Sequence, residues 1–153
     1  MILIFEGGKV MNVVIAIVDG MGGGLGAQLV TLLASQLGAK AEIIALGTNA
    51  LATNNMVRSG AARGATGENA IAVSLAHADL VAGPIGIVIP NAMMGEITPK
   101  IATTVASCGA RKVLLPVAQS HFEIIGLESR PLGVVIKEAA ARVVELAGER
   151  RGG

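Results

Sequence analysis

Residues 14–26 read VIAIVDGMGGGLG, and this stretch decides the fold class. An apolar run from Val14 to Val18 stops at Asp19, and glycines follow at positions 20, 22, 23, 24 and 26. Apolar residues then recur at 29, 30, 33 and 37, which is the spacing of one face of a helix. We therefore predict a strand over residues 13–18, a glycine turn and a helix over residues 25–37. This order is typical of the start of a nucleotide-binding α/β domain.

The rest of the chain continues the alternation. We predict strands at 42–46, 79–83 and 112–117 and a second glycine-rich turn at 60–70. Helices are predicted at 50–58, from the N-cap Thr66 to about Ala78, at 99–107 and from Pro131 onward. Residues 83–97 either extend the sheet or form a long loop. The segment FEIIGL, residues 122–127, follows a strand after four residues, and so short a link favours an antiparallel hairpin. The predicted fold is a three-layer Rossmann-like α/β sandwich with a mainly parallel sheet of about five strands and an antiparallel edge strand at 122–127.

The first ten residues, MILIFEGGKV, do not fit this pattern. Residues 6–10 can be encoded by a purine-rich stretch resembling a bacterial ribosome-binding site, placed just before the codon of Met11. We therefore expect a single Rossmann-like domain over residues 11–148. Residues 1–10 are expected to be a misassigned start or a disordered extension.

The composition excludes several classes of function. Hydrophobic residues make up 52% of the 153 residues, and a small domain this apolar is expected to hide surface in a homo-oligomer. Glycines and prolines interrupt the longest apolar stretch, residues 80–95, so we expect no membrane span. The net charge of +1 and the restriction of aromatic residues to two Phe argue against nucleic-acid binding. The single cysteine, Cys108, fits a reducing cytoplasm and is expected to be a structural thiol.

The glycine loop, defined as residues 20–26, is the predicted ligand site. Backbone without side chains lets a phosphate approach a helix N-terminus, whose free N–H groups and dipole favour anions. The residues assigned to this role are Gly20, Gly22, Gly23, Gly24, Leu25 and Gly26. The spacing matches short-chain dehydrogenases, but the chain has no tyrosine for their acid–base pair, and no lysine follows the glycines as in a P-loop. The alternative interpretation is a tight strand–helix turn without a ligand.

Residues at the ends of the other predicted strands extend this site, since ligands bind beyond the carboxyl ends of the strands in an open α/β sheet. They are Thr48 and Asn49 after the strand at 42–46 and Asn91 in the segment after the strand at 79–83. Thr66, in the glycine-rich turn at 64–69, is expected to join them. Thr48 and Asn49 are expected to contact a ribose. The acidic residue that holds the ribose hydroxyls of NAD is missing here, so Arg63 or Arg58 would meet a 2′-phosphate. The predicted cofactor is therefore NADP or another nucleotide.

Three residues are candidates for proton transfer: Asp19, Glu96 and His121. His121 follows the strand at 112–117 and has the side chain best suited to a general acid or base near neutral pH. Glu96 lies in a glycine-rich loop over the expected site. Asp19 would repel a phosphate unless it caps amides of its own loop or binds Mg²⁺, and His, Cys and acidic residues do not show the spacing of metal ligands.

Four segments resemble a family of short bacterial proteins of unknown function: DGMGGGLG (19–26), EIIALGTNALAT (42–53), GAARGATGENAI (60–71) and GPIGIVIPNAMMGEITP (83–99). The likeness runs from about residue 12 to residue 137 and implies a bacterial cytoplasmic protein with a Rossmann-like fold. It supplies no site residue. Three functions stay open: a nucleotide-binding, oxidoreductase-like enzyme; a non-catalytic sensing or assembly module of the same fold; and an enzyme acting on a phosphorylated or anionic metabolite.

Overall fold

The structure is a computed structural model that describes residues 5–6, 9–10, 12–117 and 122–152. Strands and helices alternate along the chain. In chain order they are β1 Phe5–Glu6, β2 Lys9–Val10, β3 Val13–Asp19, α1 Gly24–Leu37, β4 Ala41–Gly47, α2 Ala50–Arg58, β5 Arg63–Thr66, α3 Glu68–Leu75, β6 Leu80–Pro84, α4 Pro99–Ser107, β7 Arg111–Leu115 and α5 Leu132–Gly152. Short 3₁₀ helices cover Gly38–Lys40 and Ile85–Val88.

Five strands form one parallel sheet in the order β5-β4-β3-β6-β7. The chain moves from β3 to one side through β4 and β5, then returns to the other side of β3 through β6 and β7. The strand order therefore reverses between β3 and β6, and in open α/β sheets the crevice at such a reversal is the usual ligand site. The carboxyl edge, where all five strands end, is thus the edge to search.

Helices cover both faces of this sheet, because alternate side chains of the strands point to opposite sides. Ile15 and Ile17 of β3 belong to a core that includes residues of α1, α2 and α5. Ala16 and Val18 belong to a second core, with residues of α3 and α4. The three-layer α/β prediction is therefore confirmed. The described part of the chain contains no helix with the length and hydrophobicity required to cross a membrane.

Two element predictions were wrong. Arg63–Thr66, read from the sequence as a glycine turn, is the edge strand β5, which pairs with β4. A Cβ on Gly64 would lie 2.6 Å from Val57 Cγ2, so a glycine there allows the strand to lie close under α2. Residues 122–127 form no strand, and a turn at 125–126 with Gly126 at φ 94° takes the place of the predicted hairpin.

The described residues before position 12 form two short strands that pair with each other. β1 and β2 are antiparallel and are not hydrogen-bonded to the five-stranded sheet. The predicted start of the domain at residue 11 and its end at 148 stay predictions.

Candidate functional site

The glycine loop joins β3 to α1 at the carboxyl edge, beside the reversal of strand order, and Asp19 lies beneath it. The Asp19 side chain is 5% exposed, and its Oδ1 and Oδ2 accept the N–H groups of Gly20 and Gly26, each at 2.8 Å. Burial raises the pKa of this carboxyl above its usual range, against the opposing effect of the two backbone hydrogen bonds. Asp19 thus holds both ends of its own loop, which was one of the two alternatives for it. The described residues contain no group of three His, Cys, Asp or Glu side chains arranged to hold a metal ion.

The carbonyl groups between the end of β3 and the start of α1 are all engaged by the protein. Five consecutive carbonyls, from residues 19 to 23, accept hydrogen bonds at 2.7–3.1 Å from Thr48 N, Gly23 N, Asn49 Nδ2, Asn55 Nδ2 and Ala27 N. These bonds fix the orientation of each peptide group. The N–H groups of Gly22, Gly24 and Leu25 have no acceptor among the described residues. The loop therefore presents unpaired donors at the N-terminus of α1, where Gly23 offers no side-chain cap.

Only some of the glycines are explained by the fold. A Cβ on Gly26 would lie 2.6 Å from Met56 Sδ, and Gly23 has φ 72° and would meet Ala52 at 2.7 Å. At Gly22 and Gly24, by contrast, nothing lies within 4 Å of an added Cβ, and both positions are exposed. Packing does not require glycine at these two positions, and they adjoin unpaired N–H groups.

Glu96 reaches the same loop from the other side of the crevice. Its Oε1 accepts three hydrogen bonds: from the Met21 N–H at 2.8 Å, the Thr48 hydroxyl at 2.6 Å and the Asn49 side-chain amide at 2.8 Å. The hydrogen bond from Thr48 is the main cause that lowers the pKa of the Glu96 carboxyl, followed by the bond from Met21. Oε2 has no hydrogen-bond partner in the part of the chain described. Glu96 is therefore ionised at neutral pH and is poorly suited to act as a general acid.

The segment that carries Glu96, here called the Glu96 loop and defined as residues 89–97, has an unusual backbone. Asn91, Met93 and Met94 have φ values of 66°, 56° and 56°, in the left-handed region that such residues seldom adopt. The loop is closed at its base by a bond from Asn91 N to Ile97 O at 2.7 Å, and Ile97 is fully buried. Met94 at its tip is 92% exposed.

The predicted site residues divide into two groups. Thr48, Asn49, Glu96 and the glycine loop come together at the carboxyl edge, as expected. Asn91 lies in the Glu96 loop and contributes its strained backbone to it. Asn49 also caps α2, where its Oδ1 accepts the Ala52 N–H at 2.9 Å.

The other predicted residues that the structure describes have different hydrogen-bond and ion-pair partners. Thr66 ends β5, and its hydroxyl lies 2.7 Å from the Thr53 hydroxyl; the N-cap position of α3 is taken by Gly67, so the predicted capping role was wrong. Arg63 starts β5 on the amino side and pairs with Glu42 at 2.7 Å, away from Thr48 and Asn49. His121 lies outside the described residues.

Sequence reasoning missed Asn55, whose side-chain amide donates to the Gly22 carbonyl at 2.7 Å. The sequence did hold an indication of this contact. Asn49 and Asn55 are side-chain amides at the start and in the second turn of α2, the short helix beside the glycine loop. It also missed the backbone of Met21, because a φ of 52° at a methionine has no sequence signature.

A cavity of about 1070 Å³ opens at the same edge of the sheet. Ile85 follows β6, and Pro116 follows β7, so the cavity lies beyond the carboxyl ends of these two strands. Most of its lining is apolar, from Phe122, Leu127 and Leu132 among others, while Arg130 and Glu128 provide charge.

Comparisons with known proteins add a family. A model of the family described as a domain of unknown function, DUF3842, matches residues 14–148. No curated protein matches. Among solved structures the chain is similar to a protein described as a dodecameric FMN-dependent Ubix-like decarboxylase from Escherichia coli O157:H7, with 14% identity over 88% of this chain and 93% of that chain and a TM-score of 0.45. A likeness this distant does not transfer a function.

Proposed function

Since the chain belongs to the DUF3842 family, described as a domain of unknown function, we propose a function from the geometry of its glycine loop: it binds a phosphorylated small molecule, a nucleotide in the first instance. The observation that supports this is the set of unpaired N–H groups at Gly22, Gly24 and Leu25, two of which belong to exposed glycines that the packing does not require. Oriented amides at a helix N-terminus bind phosphate through hydrogen bonds and the helix dipole.

The remainder of the ligand has room at the same edge. Thr48 and Asn49 both donate to Glu96. The largely apolar cavity beyond β6 and β7 is of the size that accepts a base. Nothing in this arrangement favours NADP over other nucleotides, because Arg63 is paired with Glu42 on the amino side of the sheet. The proposal is therefore binding of a nucleotide, with no reaction attached to it.

The test is a set of titrations of the purified chain. Because the chain has no Trp and no Tyr, a band near 260 nm after removal of nucleic acid reports a copurified nucleotide directly. Calorimetry with AMP and FMN as mononucleotides and with NAD, NADP and FAD then ranks the ligands. Ribose 5-phosphate serves to detect a site for a phosphorylated metabolite without a base.

Gly24→Ala is the informative variant, and Gly133→Ala is its matched control, since an added Cβ meets nothing within 4 Å at either position. Hydrogen bonds to a charged group contribute about 1.5–3 kcal/mol each, so a methyl group that displaces the phosphate from one amide should weaken binding roughly 10- to 100-fold. Gly133→Ala should bind like the parent chain. Absence of binding by all ligands, or equal binding by Gly24→Ala, would refute the proposal.

A second function is favoured by a different observation. Among the residues that the structure describes, six of the ten exposed large hydrophobic side chains fall in one stretch of the chain, and the face they expose is here called the 122–134 surface: Phe122, Ile124, Ile125, Leu127, Leu132 and Val134. Exposed apolar patches of this kind mark association sites. We propose that the chain self-associates through this surface, in keeping with the apolar composition.

Light scattering tests the second proposal. Ile125 is 92% exposed, so Ile125→Glu leaves the fold intact and places a charge in the surface. Its control is Val73→Glu, on α3 and 58% exposed. The parent chain and the Val73 variant should be oligomeric at micromolar concentration and the Ile125 variant smaller; a monomeric parent chain would refute self-association.

A further inference from the structure

The three donors that surround the Glu96 carboxylate form a binding site for an anionic oxygen. A main-chain N–H, a hydroxyl and a side-chain amide converge on Oε1 at 2.6–2.8 Å, which are the distances of charge-assisted hydrogen bonds. The carboxylate comes from a loop 75 residues further along the chain than Met21. The donors lie on the glycine loop and at the end of β4, so they do not depend on the Glu96 loop for their position.

This anionic subsite adjoins the unpaired amides of the proposed phosphate site. Met21, whose N–H bonds Glu96, is followed directly by Gly22, whose N–H has no acceptor among the described residues. Two neighbouring anionic groups of one ligand can therefore lie side by side on consecutive amides. One of the two positions is filled by the protein itself.

We propose that Glu96 is a tethered competitor: its carboxylate occupies the subsite formed by Met21, Thr48 and Asn49, and the second phosphate of a diphosphate ligand takes that subsite when the Glu96 loop moves away. The proposal rests on phosphate binding by the glycine loop and narrows the ligand from phosphorylated molecules in general to diphosphates. No bond is made or broken, since one anion replaces another.

The Glu96 loop has the properties of a segment that can leave. Three of its residues with side chains, Asn91, Met93 and Met94, hold positive φ values, each costing on the order of 1–2 kcal/mol relative to ordinary backbone. Its tip is exposed, while Ile97 at its end and Ile87, two residues before its start, are buried. When Glu96 occupies the subsite, its three hydrogen bonds offset this backbone strain. A ligand that accepts hydrogen bonds from the same three donors removes them from Glu96, and the strain then favours movement of the loop.

The packing around the carboxylate is specific to this arrangement. A Cβ on Gly20 would lie 2.6 Å from Thr48 Oγ1, 2.9 Å from Met93 Sδ and 3.0 Å from Glu96 Oε1. A side chain at position 20 would therefore require the side chains of Thr48, Met93 or Glu96 to shift. The glycine at this position keeps the space into which the carboxylate fits.

Calorimetry with ADP, AMP and adenosine on Glu96→Ala tests the proposal. When a site is free for only a fraction of the time, the apparent affinity falls by that fraction, so a competitor that fills it 90–99% of the time weakens binding about 10- to 100-fold. Glu96→Ala should therefore bind ADP more tightly than the parent chain does, by about this factor. Its affinity for AMP should rise less, and its affinity for adenosine should equal that of the parent chain. Glu96→Gln should show a partial gain, because an amide oxygen competes more weakly than a carboxylate.

The matched control is Glu145→Ala, which removes the same charge from an exposed position on α5 that pairs with Arg142. It separates loss of the competitor from a general change in net charge. An unchanged or weaker affinity of Glu96→Ala for ADP, or equal gains for ADP and AMP, would overturn the proposal.

Gly24→Ala distinguishes this failure from failure of the proposed function. If Gly24→Ala binds ADP more weakly than the parent chain and Glu96→Ala binds it no more tightly, phosphate binding by the glycine loop stands and the role of Glu96 as a competitor is refuted. If neither the parent chain nor Glu96→Ala binds ADP, both proposals are refuted.

Discussion

Replacing Asp19 should destabilise the fold by removing the support of the glycine loop. The two carboxylate oxygens accept the buried N–H groups of Gly20 and Gly26, and alanine would leave both donors without an acceptor. A buried unsatisfied donor costs about 1–3 kcal/mol, and removal of a carboxylate whose ionisation is opposed by burial offsets part of this. We expect Asp19→Ala to lower the free energy of unfolding by about 3 kcal/mol, or roughly 6–12 °C in Tm for a chain of this size.

Asp19→Asn makes the prediction more specific. Its amide oxygen replaces one acceptor, but its NH₂ group then faces the other backbone N–H, so we expect a loss of about 2 kcal/mol at neutral pH. The pKa of Asp19 is raised in the folded chain, which means that the folded state keeps this proton to a higher pH than the unfolded state. The stabilising contribution of that proton is complete below the unfolded pKa and is lost as pH rises through the folded pKa. The deficit of Asp19→Asn should therefore be larger near pH 3–4 than at pH 7.

The assay is urea denaturation followed by circular dichroism at 222 nm, since without Trp or Tyr the chain lacks the usual fluorescence probes. Glu138→Gln is the control, because its partner Arg130 and the carboxylate itself are both largely exposed and such pairs contribute at most about 1 kcal/mol. If Asp19→Ala and Asp19→Asn unfold at the same urea concentration as the control, the carboxylate does not hold the loop, and the reasoning fails.

Three further substitutions are measured by the same urea assay. Gly26→Ala should cost about 1–3 kcal/mol, because its Cβ would lie 2.6 Å from the sulfur of Met56, whereas Gly133→Ala, with open space, should not destabilise. Thr53→Val should cost about 1–2 kcal/mol, since Thr53 is 9% exposed and its hydroxyl lies 2.7 Å from the Thr66 hydroxyl. Arg63→Ala should cost less than about 1 kcal/mol and leave calorimetric nucleotide affinity unchanged; a tenfold weaker affinity would restore Arg63 to the site.

The fold was largely predictable because apolar periodicity carries it. The strands β3 and β4 and the helices α1, α2 and α4 lie within one residue of the predicted bounds, since each pairs a run of buried residues with a clear turn or cap. At α4, for instance, Thr98 accepts the Ile101 N–H and Pro99 occupies the first turn, as its sequence indicates. β5 was missed because RGAT has little strand propensity and is held in place by pairing with β4, a tertiary effect.

The candidate site was predictable in its membership and not in its internal bonding. Because ligands bind beyond the carboxyl ends of the strands in an open α/β sheet, the sequence predicted that Thr48, Asn49 and Glu96 lie near the glycine loop. The convergence of these side chains on one carboxylate oxygen depends on the path of the Glu96 loop. That path uses positive φ values at methionines, where no residue preference signals such a conformation.

The two edges of the sheet bear on how the protein behaves when concentrated. β5 has four residues and starts at Arg63, and β7 has five and starts with Arg111 and Lys112. Unpaired strand edges invite pairing with another molecule, and short, positively charged edges oppose it. Open-ended growth from sheet to sheet, the route to fibrils, is thereby disfavoured at both ends. An apolar protein with edges of this kind is expected to form assemblies of finite size.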